Sequence, residues 1–132
     1  MRSRIFVGVL AVVGLFSAIG FASKGSTAGP DRRWAIVNIT SPVQLGDQFL
    51  MGKYLIVHDD AKMARGEACT SIYRFDAARG PQEEVVSFHC IPSQREICEE
   101  TTLKMESRTG EIAKIVEYQF AGDTEGHGVP AK

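Results

Sequence analysis

The sequence predicts an all-β protein, and three observations carry that prediction. Short runs rich in β-branched and aromatic residues recur between residues 34 and 121, separated by Gly, Pro and Asp. Residues 101–120 alternate apolar and polar side chains, as a half-buried sheet requires. The chain has 132 residues, 44% hydrophobic and 23% charged, which is typical of one globular domain. We therefore expect a small antiparallel meander, packed as a sandwich or a partly closed barrel.

The first 22 residues follow the three-part pattern of a secretory signal peptide. Arg2 and Arg4 form a basic start, residues 5–22 form an uncharged apolar helix, and Gly20 and Ala22 supply the small residues of a cleavage site. This apolar run is also near the lower length limit of a membrane anchor, which remains the alternative. The pattern predicts a secreted or periplasmic protein with no stable membrane span after cleavage.

The rest of the chain divides into three parts. Residues 23–33 (SKGSTAGPDRR) predict a flexible polar leader, residues 34–121 an antiparallel β domain, and residues 122–132 (GDTEGHGVPAK) a flexible tail with no core of its own. The chain carries 15 Lys and Arg residues against 16 Asp and Glu, and the basic residues form no cluster. That balance excludes a strongly basic nucleic-acid binder.

The first half of the domain predicts two long strands and a hairpin strand. Residues 34–40 form the first strand, which Pro42 ends, and residues 43–45 add a short one. Residues 48–58 form the next, where Gly52 permits a turn or bulge. Residues 59–66 predict one helical turn that begins after Asp59 and ends at Gly66. Residues 68–75 and 84–91 then form a hairpin around Arg79 and Gly80.

The second half predicts a helical turn and one further hairpin. The sequence from Ser93 to Glu96 is a capping box, which favours a helical turn over residues 94–99. Residues 101–107 and 111–120 pair around a two-residue tip at Thr109 and Gly110. In that register Leu103 faces Val116, and one face collects the apolar side chains of Leu103, Met105, Ile112, Val116, Tyr118 and Phe120.

Three cysteines in an exported chain allow one disulfide and one unpaired thiol. In the hairpin of residues 68–75 and 84–91, Phe75 faces Glu84 and Cys69 faces Cys90, so these two cysteines lie within disulfide reach. We therefore predict a Cys69–Cys90 disulfide. The alternatives are Cys90–Cys98, if the helical turn folds Cys98 back, and Cys69–Cys98.

The three histidines predict no shared metal site. We expect His58 at the surface end of its strand, and His89 half-buried on the opposite face of the same sheet. His127 falls in the tail. The sequence therefore predicts no metal site and no cofactor. The rival hypothesis is a metal site formed by His58 or His127 with the carboxylates nearby in sequence: Asp59, Asp60, Asp123 and Glu125.

The sequence shows no set of nucleophile, base and orienting group. His89 adjoins Cys90, but consecutive strand residues point to opposite faces, which argues against a thiol enzyme. The predicted function is a non-enzymatic binding or envelope-associated β domain, whose partner is an unidentified protein or envelope component. The alternatives are a small periplasmic metal-binding protein and, last, a hydrolase.

Four short segments resemble a group of small, uncharacterised exported bacterial proteins rich in β-strands. They are FLMGKYLIV at 49–57, HDD at 58–60, FHC at 88–90 and YQFAGD at 118–123. The resemblance spans most of the chain after residue 22. It implies a small, secreted, β-rich protein and carries no catalytic residue across.

Overall fold

The computed structural model describes residues 32–131, and these residues form an all-β domain. Strands make up 61% of them, in one open sheet of eight strands. The all-β prediction is confirmed, and the strands belong to one sheet rather than to two stacked sheets. Within these residues no helix is long and apolar enough to cross a membrane. The predicted signal peptide and most of the predicted leader lie outside the described residues.

The elements in chain order are β1 (Arg32–Leu45), β2 (Gln48–Asp59), α1 (Asp60–Ala64), β3 (Thr70–Asp76), β4 (Gly80–Phe88), β5 (Ile91–Gln94), β6 (Thr102–Glu106), β7 (Lys114–Gln119) and β8 (Glu125–Gly128). Across the sheet they follow the order β4-β3-β2-β1-β7-β8-β5, with β6 paired to β7. The pairings are antiparallel except for one parallel pair, Gln44 with Lys114, between β1 and β7.

The first four strands form the predicted meander. The two strands expected before Gly46 are one continuous strand, β1, whose pairing with β2 is irregular between Ile39 and Val43. Gly52 lies opposite that irregularity with φ +108°, a conformation that side chains other than glycine rarely adopt. The predicted helical turn is also confirmed, because the Asp59 carboxylate accepts hydrogen bonds from the first backbone N–H groups of α1.

The hairpin of β3 and β4 has a different register from the predicted one. Thr70 pairs with Phe88 and Ile72 with Val86, one residue away from the predicted register. The Asp76 carboxylate accepts hydrogen bonds from the backbone N–H groups of residues 78 and 79, which sets a tight turn, and two irregularities follow along the strands. Cys69 and Cys90 therefore lie just beyond the paired strands rather than directly opposite each other.

The β6–β7 hairpin exists, but its register is displaced by two residues over 102–104 and by one residue at Met105 and Glu106. Leu103 pairs with Tyr118 instead of Val116, because the connection between the strands is longer than a two-residue tip. The shift of two residues at Leu103 keeps the same side chains on the same face there, so Leu103 and Tyr118 are both buried. The shift of one residue at Met105 places Ile115 rather than Val116 in the core. Ile112 falls in the connection and is 48% exposed.

Two predictions for the second half are wrong. Strand β5 (Ile91–Gln94) runs through Pro92 and pairs with β8, and residues 95–99 form no helical turn. The predicted unpacked tail contains β8, which pairs with β5 and also with β7. The strand of residues 125–128 thus has backbone hydrogen-bond partners in two neighbouring strands. The glycines of this segment favour a loop when only the nearby sequence is considered, so these partners were not predicted.

The apolar core lies along the inner face of the sheet and draws on both halves of the chain. Its buried members are Val37, Ile39, Val43, Leu45, Leu50, Tyr54, Ile56, Ile72, Leu103, Ile115, Tyr118 and Phe120. At the end of the core marked by Tyr118, the apolar side chains give way to a buried group of histidines and cysteines.

Candidate metal centre

Four buried side chains of the kinds that bind transition metals meet at one end of the sheet. They are His58, Cys69, Cys90 and His127, and each is at most 2% exposed. We call these four residues the His–Cys cluster. Imidazole nitrogens and cysteine sulfurs are the ligands of tetrahedral structural zinc sites.

The strand pattern explains how the first three members meet. Alternation along β2 directs Tyr54, Ile56 and His58 to the buried face. Cys69 immediately precedes β3 and Cys90 follows β4, so the pairing of these strands brings both sulfurs to the same end of the hairpin. The backbone N–H of Cys90 donates a hydrogen bond to the Cys69 sulfur at 3.3 Å, which fixes their relative position.

The fourth member, His127, comes from β8. Its ring stacks on the Tyr118 ring with centroids 4.8 Å apart, and it meets the His58 ring at 4.3 Å. The glycines on either side of His127 permit this position. A Cβ atom at Gly126 would lie 2.4 Å from a Glu117 carboxylate oxygen, and that carboxylate is held by Arg95. Only a residue without a side chain fits beneath this ion pair.

The three distances from the Cys90 sulfur to the other members of the His–Cys cluster are close to those of a tetrahedral site. The sulfurs of Cys69 and Cys90 are 3.3 Å apart, and the Cys90 sulfur lies 3.4 Å from His58 Nε2 and 3.5 Å from His127 Nδ1. Tetrahedral zinc with ordinary bond lengths separates two sulfurs by about 3.8 Å and a sulfur from a nitrogen by about 3.6 Å. The ligand atoms of His58, Cys69 and Cys90 all lie within 4.8 Å of one another, and His127 joins this group through its contact with the Cys90 sulfur.

The predicted Cys69–Cys90 disulfide is not formed in this structure. All three cysteines are free, and a disulfide would bring the two sulfurs to about 2.05 Å. The sequence nevertheless identified the correct neighbours, since these two sulfurs are in contact. The disulfide itself stays a prediction.

The outer nitrogen of each histidine faces carboxylates. His58 Nδ1 lies 3.2 Å from Asp60, and His127 Nε2 lies 3.8 Å from both Asp123 and Glu125. Both nitrogens are buried and make no hydrogen bond within the described residues. A proton on each of these nitrogens leaves the opposite nitrogen free to bind a metal. Metal-binding histidines commonly direct their second N–H at a carboxylate in this way.

Burial keeps the cluster uncharged when no cation is bound. Desolvation lowers the pKa of His58, and desolvation together with the nearby His58 lowers the pKa of His127 to about 4. Desolvation, reinforced by the contact with Cys69, raises the pKa of the Cys90 thiol to about 12. The imidazoles are thus already in the neutral, metal-binding form, whereas Cys90 needs a nearby positive charge to become a thiolate.

The remaining histidine and cysteine lie outside the cluster. His89 is exposed rather than half-buried, and its Nδ1 lies 3.2 Å from the Cys90 backbone oxygen. Cys98 is half-buried, and its thiol donates to the Phe120 backbone oxygen. Each is of the same residue type as members of the cluster, so His89 and Cys98 provide matched control positions.

Sequence reasoning placed His58 correctly on one face with the two cysteines but wrongly at the surface, where it is only 1% exposed. It separated His58 from His89, which the structure also keeps out of the cluster. It missed His127 because the surrounding glycines and proline were taken to indicate a tail. The available signal was the Gly-His-Gly pattern at 126–128, in which the glycines allow close packing.

Comparison of the chain with known protein families, with curated proteins and with solved structures finds no match.

Proposed function

We propose that this protein is a small metal-binding β domain that holds one divalent, zinc-type ion at the His–Cys cluster. The observation that supports this is the convergence of His58, Cys69 and Cys90, whose ligand atoms lie within 4.8 Å of one another, with the buried His127 at 3.5 Å from the Cys90 sulfur. The proposal takes up the metal-binding alternative raised by the sequence. It replaces neighbouring carboxylates with Cys69 and Cys90 as the partners of His58 and His127.

The chemistry of the ligands selects the class of metal. Thiolate and imidazole bind zinc and other soft or borderline ions, whereas magnesium and calcium prefer oxygen ligands. Two thiolates and two neutral imidazoles carry two negative charges, which a divalent ion cancels. A monovalent ion such as Cu(I) would leave one negative charge buried. Because uncompensated charge is costly in a buried site, the divalent ion is favoured.

The burial of the site favours a structural role for the ion. Catalytic zinc sites keep one position open for water or substrate, while structural sites are closed by four protein ligands. All four members of the His–Cys cluster are buried, so the proposed ion is enclosed. It would join β8 to the first four strands, since His127 comes from β8 and the others from the region of β2–β4. We retain the sequence hypothesis of an exported, non-enzymatic binding or envelope-associated domain whose partner is an unidentified protein or envelope component.

Metal analysis and cobalt substitution test the proposal directly. We expect the reduced, purified protein to bind one zinc ion per chain. Replacing it with Co²⁺ should give the visible absorption of a tetrahedral cobalt site and a near-ultraviolet thiolate-to-cobalt band. Cys90→Ser and His127→Gln should weaken both signals strongly, while Cys98→Ser and His89→Gln should leave them unchanged.

Two results would overturn the metal-binding proposal. One is a reduced parent protein that is folded by circular dichroism yet binds neither zinc nor cobalt. The other is loss of the cobalt spectrum in the Cys98→Ser or His89→Gln control, because it would place the bound metal outside the His–Cys cluster.

A further inference from the structure

We propose that Cys69 and Cys90 form a reversible redox pair that controls the metal. The two sulfurs either bind the ion as thiolates or join each other as a disulfide, and each state excludes the other. This inference rests on the proposed metal-binding function, and it names how the same site is regulated.

The position of the two cysteines suits both states. Their sulfurs are 3.3 Å apart, between the separation of about 2.05 Å in a disulfide and about 3.8 Å in a tetrahedral zinc site. Cys69 and Cys90 lie just outside β3 and β4, so neither belongs to a strand ladder that side-chain movement would disrupt. Each sulfur atom has to move by about 1 Å or less to reach either the disulfide or the metal-bound state.

The two states compete because they use the same atoms. A cysteine sulfur binds zinc as a thiolate, and a disulfide has no thiolate to offer. After oxidation only His58 and His127 remain as ligands, and two imidazoles alone make a weak zinc site. In the opposite direction, a bound ion holds both sulfurs and withdraws the electron pairs that an oxidant would attack.

The oxidation is balanced with hydrogen peroxide as the oxidant. One sulfur attacks peroxide, the O–O bond breaks, and a sulfenic acid and water form. The second sulfur attacks the sulfenic sulfur, the S–S bond forms, and the oxygen leaves as a second water. The pair loses two electrons and peroxide gains them. Starting from the metal-bound thiolates, two protons come from solvent and one divalent ion is released.

The burial of Cys69 and Cys90 and the contact between their sulfurs favour oxidation of this pair by a small oxidant. Both cysteines are at most 2% exposed, so a small uncharged oxidant reaches them more readily than a bulky disulfide such as oxidised glutathione. Cys98 is held at the Phe120 backbone oxygen, whereas the two cluster sulfurs already touch. The expected product is therefore a single Cys69–Cys90 bridge, which is the disulfide that the sequence predicts for an exported chain.

Peroxide titration of the zinc-loaded protein tests the coupling. A chromogenic chelator measures released zinc, and peptide mapping without reduction identifies the bridge. We expect one zinc ion to be released for each Cys69–Cys90 bridge formed, and dithiothreitol followed by zinc to restore the starting state. When free zinc is ten times its dissociation constant, only about one tenth of the protein is metal-free. Because only this metal-free fraction reacts, oxidation should be about tenfold slower than in the protein without zinc.

The controls separate this inference from the function on which it rests. Cys98→Ser should behave as the parent, and Cys69→Ser should form no Cys69–Cys90 bridge. If the reduced parent binds no zinc, both proposals fail. If it binds zinc but retains it after the bridge forms, or releases it without that bridge, the redox inference alone is overturned. Failure of dithiothreitol and zinc to restore binding also overturns it.

Discussion

The first four strands and the last four are assembled by different kinds of contact. The three pairings among β1–β4 each join strands that follow one another in sequence. Among β5–β8 the consecutive pairs β6–β7 and β7–β8 are joined by two pairings of distant segments: β5 pairs with β8, and β7 pairs with β1. The first half is therefore organised by local hairpins, while the second half depends on interactions that form only when separated segments meet.

Polar side chains carry much of this second group of interactions. Glu117 is buried and accepts two hydrogen bonds from the Arg95 guanidinium. The Gln119 amide donates to the backbone oxygens of Glu96 and Asp123, which ties two connecting segments to β7. Because each of these links is a single side chain, we expect the second half to open locally at lower free energy than the first. His127 links β8 to two other members of the His–Cys cluster, His58 and Cys90.

Removing the metal should produce the largest difference between the halves. Saturating ligand at about 1,000 times its dissociation constant stabilises a protein by about 4 kcal/mol. Chelation should therefore increase amide hydrogen exchange by up to about a thousandfold, most strongly at Gly126 and Gly128 in β8 and less at Ile56 in β2. Exchange in the Cys98→Ser protein should respond in the same way as in the parent. An equal change in both halves would contradict a linking role for the metal.

Acid should destabilise the metal-free protein through His127. Burial lowers its folded-state pKa to about 4 from an ordinary value of 6.5, so the unfolded chain binds more protons between these values. Stability is then fully present above about pH 6.5 and declines as the pH falls towards 4, by about 3 kcal/mol. Urea unfolding at pH 7 and pH 4.5 measures the decline.

The same measurement on His89→Gln and His127→Gln identifies the responsible group. His89→Gln should show the parent's loss of stability at low pH, because the His89 side chain is exposed. His127→Gln should show a smaller loss, since the titrating ring is absent. The buried His58, whose pKa is also lowered, keeps the remaining loss above zero. An identical loss in all three proteins would exclude His127 as its source.

Gly126→Ala should destabilise the second half by about 2 kcal/mol, because an added methyl group forces a packed region to shift. The new Cβ would meet the Glu117 carboxylate at 2.4 Å. Urea unfolding measures the effect. In a Glu117→Ala background the same substitution should cost less, since the obstructing carboxylate is gone. If the cost is unchanged there, contact with Glu117 is not its cause.

Asp59→Ala should have the smallest effect of the four, about 1 kcal/mol, by removing the cap of α1. The Asp59 carboxylate accepts hydrogen bonds from the backbone N–H groups of Ala61 and Lys62. Asp59→Asn keeps an acceptor and should retain most of the stability in urea unfolding. Because α1 lies in the locally organised half, hydrogen exchange in β8 should not change. Faster exchange there would show that the two halves are coupled through this turn.

The sequence predicts the parts of this protein that depend on neighbours in the chain. Alternation and turn residues identified β2, β3 and the cap at Asp59, because these features are determined within a few residues. The register of β3 and β4 was missed by one residue because bulges are not visible in apolar alternation. His127 could not be placed, since its burial depends on β5, β7 and the Arg95–Glu117 pair, which are brought together only by the folded sheet.

The location of His127 late in the chain also bears on biosynthesis. His58, Cys69 and Cys90 emerge first, and His127, the fourth proposed ligand, follows only after β7 has been made. A chain interrupted before residue 125 would lack both β8 and this ligand, leaving β5 without its sheet partner. Closure of the His–Cys cluster would then report that synthesis had passed the last strand, and a cell could discriminate finished from truncated copies by their resistance to proteolysis in the presence of zinc.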